Sequence, residues 1–208
     1  MNKLIISLLF VLFVVSTGAQ KIEEYFLKMP DDMIVQLEEA WRNELVDMYK
    51  SGKTATLENS MQGESTLLKL TNDYLLLQST ERTTIELKCL PFDNNTNVIC
   101  MITTVSAPVA DSRVDIYTTN WIPLDNIFTP VADDWFWKDN INRLSPDFID
   151  ANAALDMCLI KYSLSAENTY LTAEYMTPQY LDDELRKKVI PLLKNETKTF
   201  KWKINHFE

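Results

Sequence analysis

Residues 83–102 read TTIELKCLPFDNNTNVICMI, and the fold class turns on how they pair. Ile85, Leu87 and Cys89 alternate with Glu86 and Lys88, which is the two-residue period of a strand with one apolar face. Cys100 and Ile102 alternate with Met101 and Thr103 on a second strand. Asp93-Asn94-Asn95-Thr96 between them is a cluster of turn formers, so the segment predicts an antiparallel hairpin. A four-residue loop sets Leu87 opposite Ile102 and Cys89 opposite Cys100. Both strands then present their apolar residues to one face, and the register is self-consistent.

Outward from the hairpin the same period continues. Leu67–Leu70, Tyr74–Leu77 and about 113–119 read as further strands, the last with Val114 and Ile116 inward. On the N-terminal side the period lengthens. Ile22, Tyr25, Phe26 and Met29 form a short amphipathic helix that stops at Pro30. Ile34, Leu37, Trp41, Leu45 and Met48 form the stripe of a second helix over 32–50, with Gly52 as its C-terminal cap. On the C-terminal side, 120–155 is irregular and aromatic, with a helix start at Ser145-Pro146-Asp147. Cys158, Ile160, Tyr162 and Leu164 face Leu171, Ala173 and Tyr175 across a turn at Ala166-Glu167-Asn168. Pro178–Leu193 reads as a helix, and Phe200, Trp202 and Ile204 alternate in a last strand. The class is α+β, an antiparallel β-sheet meander with N-terminal and C-terminal helices packed on it.

Residues 1–19 have the layout of a secretory signal. Lys3 is followed by an apolar run from Leu4 to Val15 and by small residues ending at Ala19, and cleavage there leaves Gln20 first. The run is short of the roughly 20 residues a membrane span needs. Residues 20–208 are then expected to form a single α+β domain, periplasmic or secreted, with no membrane span. The chain carries a net charge of −10, which repels phosphate backbones, so nucleic acid is not an expected partner.

The chain has one histidine, three glycines and three cysteines. No glycine-rich phosphate loop or zinc-type ligand cluster can be assembled from these, and no cofactor or metal site is expected. Cys89 and Cys100, opposed in the hairpin and exported to an oxidising compartment, are candidates for a disulfide; two small buried hydrophobes are the competing reading. Cys158 reads as core. The start of Asp93–Asn97 resembles a calcium loop, but Val98 stands where glycine is required and Thr104 where a bidentate glutamate is, so a polar turn is the better reading. Asp133, Asp134, Trp135 and Trp137 combine paired carboxylates with aromatics, the chemistry of a glycan surface or cleavage site. An aromatic plug under a long loop accounts for them more simply. In an extended chain Trp135 and Trp137 would share a face. Asp111-Ser112-Arg113 sets an acid, a hydroxyl and a base in sequence, with no identifiable partner.

Several motifs in this order are familiar: the export signal ending in GAQ, FLKMPDDMI at 26–34, GESTLLKLTNDYLLLQ at 63–78, IELKCLP at 85–91, NVICMITTVSAPVADSRVDIYTTNW at 97–121, LDMCLIKYSL at 155–164 and FKWKI at 200–204. The set resembles a family of exported Bacteroidales proteins designated a domain of unknown function, DUF family 3256. The resemblance covers most of the mature chain, and its most specific part is Val98 to Trp121. It implies an envelope or secreted location and no assigned activity, so no catalytic residue is carried over.

The expected function is a non-catalytic binding or interaction module with a protein or glycan ligand. The protein is not expected to be an enzyme, because His206, beside the C-terminus, is the only histidine available for acid–base work at neutral pH. A carboxylate-dependent glycan hydrolase and an apolar-ligand carrier are the alternatives. The first needs two carboxyls facing across a cleft and the second a large apolar cavity under the helices.

Overall fold

The computed structural model describes residues 22–93 and 96–208. Residues 1–21, which include the segment read above as an export signal, and Asn94 and Asn95 lie outside the described residues. Helix α1 (Ile22–Leu27) and helix α2 (Glu39–Lys50) precede a six-stranded antiparallel meander: β1 (Thr56–Glu58), β2 (Glu64–Leu70), β3 (Tyr74–Thr80), β4 (Thr83–Pro91), β5 (Asn97–Ser106) and β6 (Ala110–Thr118). After an irregular stretch and α3 (Pro146–Ala154), a hairpin of β7 (Ile160–Leu164) and β8 (Tyr170–Tyr175) leads into α4 (Thr177–Tyr180) and α5 (Asp183–Val189). β9 (Lys198–Lys203) and β10 (His206–Phe207) complete a second sheet in the order β10-β9-β8-β7. The fold is α+β, with two sheets.

The large sheet is covered on both faces. Leu75, Leu77, Leu87, Ile99 and Met101 pack against Ile22, Phe26, Leu37 and Leu45 of the N-terminal helical segment. Cys100, Ile102 and Ile116 face the other way, into a core shared with Phe136, Trp137, Phe148, Tyr162, Leu171 and Phe200.

Double coverage explains why the hairpin register differs from the expected one. β4 and β5 pair with Lys88 opposite Cys100, Cys89 opposite Ile99 and Leu87 opposite Met101. The connection is one residue longer than expected: the ladder closes at Pro91 and Asn97, and Phe92 N–H donates to Thr96 O at 2.8 Å. A slip of one residue turns every side chain to the opposite face. Because VICMI is apolar at every position, its pattern suits either register. Cys89 now packs toward the helices and Cys100 toward the second core, and all three cysteines are free. The opposed pair on which the disulfide rested is therefore absent.

The two long helices also differ from expectation. Residues 31–38 form a 3-10 turn and bends, and α2 begins at Glu39. The cause is Arg42, 1% exposed, which donates from Nη1 to Leu37 O and from Nη2 to Met29 O at 2.6 Å and Leu27 O, and pairs with Asp31. The Leu37 carbonyl, inside the expected helix, receives a guanidinium N–H in place of a helical amide, and Trp41 N–H turns to Glu38 O. Pro178–Leu193 is likewise interrupted. Leu181 is extended, Asp182 caps α5 by accepting from Glu184 and Leu185 N–H, and Arg186 donates to Pro178 O and Leu181 O. The Ser145 cap of α3 and the pairing of Leu164 with Leu171, Tyr162 with Ala173 and Ile160 with Tyr175 are as expected. Ile204 is not inward; it is 73% exposed in the β9–β10 turn.

Candidate functional site

Glu86 and Lys88, which alternate with the apolar residues of β4, are buried between the two layers. Glu86 accepts from Tyr74 O–H and from Leu164 N–H, both at 2.9 Å. Burial pushes its carboxyl up, and these bonds pull it partly back. Lys88 pairs with Asp73 at 2.9 Å and donates to Ala166 O. Leu164 is one of three alternate residues of β7 whose outward amides end on side chains of the large sheet. Ile160 N–H donates to Asp111 Oδ1 and Tyr162 N–H to Ser112 Oγ, each at 3.1 Å. β7 is an edge strand of its own sheet. Its unpaired amides are thus satisfied without forming a continuous ladder.

Beside this junction lies a cleft of about 510 Å³, walled by the start of β6, by Phe128, Pro130 and Val131, and by Cys158 to Tyr162. It gathers residues far apart in sequence: Asp111, Ser112, Arg113, Asp133 and Cys158. The Cys158 thiol hydrogen-bonds to Asp133, and its pKa is pushed up to about 12, first by loss of water and then by the carboxylates of Asp133 and Asp111. A thiol held in that form is a weak nucleophile. Asp111 and Asp133 are both exposed, whereas carboxylate acid–base chemistry needs one partner buried. Arg113 is occupied by Asp115 at 2.7 Å.

The aromatic segment divides among separate neighbours. Residues 133–136 form a 3-10 turn, so Trp135 and Trp137 do not share a face. Asp133 reaches the cleft. Asp134 points to Arg143, which holds its carboxyl below the ordinary range. Trp135 is half-buried, with the ammonium groups of Lys194 and Lys198 at 5.0 and 5.4 Å from its ring. Phe136 stacks on Tyr175 at 4.5 Å, and Trp137 is buried against Phe148. His206 lies in the exposed β10 turn beside Asn205 and lines a different hollow, with Lys198 and Phe207. Among the described residues no group of three or more His, Cys, Asp or Glu side chains is placed to hold a metal ion. No described helix is long and apolar enough to cross a membrane.

Cys158 was read as core, yet it belongs to the cleft. Its role depends on the position of Asp133, 25 residues earlier, for which the sequence carries no local signal.

The family described as "Protein of unknown function (DUF3256)" matches residues 14–207. A solved structure, described as a domain of an uncharacterized protein from Porphyromonas gingivalis W83, is similar with a TM-score of 0.83 and 30% identity. The similarity covers 91% of this chain and 99% of that one. No curated protein matches.

Proposed function

The chain belongs to the DUF3256 family, and from that premise we propose that it is an exported, non-catalytic binding protein that works through the cleft beside β6. One observation carries the reading. The groups that could do chemistry there are engaged in holding the structure: Cys158 bonds to Asp133, and Asp111 and Ser112 receive the amides of β7. What remains is a concave surface with an apolar floor and a polar rim, the general form of a recognition site. The face of the large sheet under α1 and α2 is closed by fully buried Ile22, Phe26, Leu37 and Leu45. This argues against a lipid-sized cavity there.

The test is a titration of isotope-labelled protein with neutral oligosaccharides and with extended peptides, alongside a reducing-end assay. Shifts at Ser112, Val114 and Cys158 without release of reducing ends support the reading. Release that disappears in a folded Asp133→Asn variant would instead make the protein a hydrolase. Export is tested separately: the mature native protein is expected to begin at Gln20, and a retained 1–19 segment defeats that part.

A further inference from the structure

The large sheet ends on β6, and β6 is paired along only part of its outer edge. At its C-terminal end the chain folds back on it. Leu124 N–H donates to Ile116 O at 2.8 Å and Thr118 N–H to Ile122 O at 2.9 Å, with Tyr117 opposite Pro123. These bonds establish which residues turn their main-chain groups outward. Ile116 and Thr118 point away from β5, so by the two-residue alternation Ser112 and Val114 do so too. Across the sheet they stand opposite Thr104 and Ile102, in the same phase of the ladder as Ile116 opposite Cys100. After Leu124 the chain leaves the edge. Among the described residues no partner receives the N–H or the C=O of Ser112 or Val114.

This vacant stretch is in register with a place the protein itself already fills at 122–124. It also forms one wall of the 510 Å³ cleft, whose rim carries Asp111 and Asp133. Unpaired strand edges are templates for further strands, and a peptide added there gains main-chain bonds at every second residue. A saccharide has no such two-residue repeat of donors and acceptors. The two rim carboxylates favour a cation, and the −10 charge of the chain disfavours an acidic segment.

We infer that the β6 edge at Ser112–Val114 receives an extended segment of a partner protein as an added strand, with a lysine or arginine of that segment between Asp111 and Asp133. The inference rests on the reading of the cleft as a binding site and names the ligand class for it.

Three blocked peptides serve as probes: Ac-VTVKVTV-NH2, the same peptide N-methylated throughout, and Ac-VTVEVTV-NH2. The unmethylated lysine peptide is expected to move the Ser112 and Val114 amide resonances and slow their exchange with solvent. The methylated peptide leaves them unchanged, and the glutamate peptide binds severalfold more weakly. Val114→Pro removes an outward amide from an edge position, where proline is tolerated. It is expected to weaken the lysine peptide about tenfold, one main-chain hydrogen bond's worth. Asp133→Asn reduces only the preference for lysine over glutamate. Should Val114→Pro fail to fold, exchange protection at Ser112 and Val114 in the unmodified protein decides the matter.

Equal binding of the methylated peptide overturns the inference. So does a response confined to other parts of the surface, or protection that appears with protein concentration alone, which would make a second copy the occupant. A cleft that responds to an oligosaccharide and to no peptide also overturns it, while leaving the binding reading intact. Hydrolysis of that oligosaccharide removes the binding reading itself.

Discussion

The two faces of the large sheet are built on different principles. Toward α1 and α2 the sheet contributes Leu75, Leu77, Leu87, Ile99 and Met101, and the contact is apolar. Toward the second sheet it contributes Cys100, Ile102 and Ile116, together with Glu86, Lys88 and Ser112, which bond to β7 and its turn, and Tyr74, which donates to Glu86. The first face holds by exclusion of water, which is strong and indifferent to direction. The second adds hydrogen bonds, which contribute less net free energy each but specify where β7 must lie. A cleft with usable polar groups occurs at the second face because polar atoms were already required there to satisfy an edge strand.

The comparison can be broken most sharply by deletion on the apolar face. Leu87→Ala, at a fully buried position, should cost about 2–5 kcal/mol in urea unfolding. A loss below about 1 kcal/mol would mean that the helical layer is loosely packed against the sheet.

On the polar face the effect should be smaller and should depend on what replaces the acceptor. Glu86→Ala leaves the Leu164 amide buried without a partner, at a cost of about 1–3 kcal/mol. Glu86→Gln keeps an acceptor and cannot ionise, so it should be close to neutral or stabilising at pH 7. The two proteins should also respond differently to pH. The folded-state pKa of Glu86 is raised. Its contribution is therefore fully present below the unfolded value and lost as pH rises through the folded value. Relative to the glutamine variant, the wild-type protein should gain stability on acidification through that interval. A constant difference across the interval would show that Glu86 is not desolvated as described.

The smallest effect concerns reactivity instead of stability. Cys158, with its pKa raised to about 12, should react slowly with iodoacetamide at pH 8 despite its exposure. Asp133→Asn, which removes the largest nearby negative charge, should speed that reaction, as followed by intact mass. An unchanged rate would separate Cys158 from Asp133.

The alternation in IELKC was legible, and it led correctly to antiparallel strands. What lay beyond Glu86 and Lys88 was not legible, because a polar residue facing solvent and one facing a polar partner look alike in sequence. The register of the C-terminal hairpin was readable from Ile160 to Leu164, though not at Cys158, because both its strands have one buried and one exposed face, and a slip would expose Leu164 and Leu171. The β4–β5 hairpin lacks that penalty, since VICMI buries both faces, and its register slipped by one residue. The helix boundaries failed at Arg42 and Arg186 for a related reason. Each guanidinium takes several carbonyls at once, and a helical pattern in the sequence does not show which carbonyls a distant arginine will claim.

Local order thus determined the elements: strand period, the Ser145 cap and the turn at 166–168 depend on residues within a few positions of one another, whose interactions survive in any tertiary setting. Membership in the DUF3256 family was also readable, from motifs spread along the chain. Only the tertiary structure decided that the sheet is covered on both sides, that Cys89 and Cys100 face different cores, and that Asp111, Asp133 and Cys158 meet at an unpaired strand edge. Those outcomes depend on which surfaces come together after the elements have formed. Burial and hydrogen-bond satisfaction are properties of that assembled whole, and no window of sequence contains them.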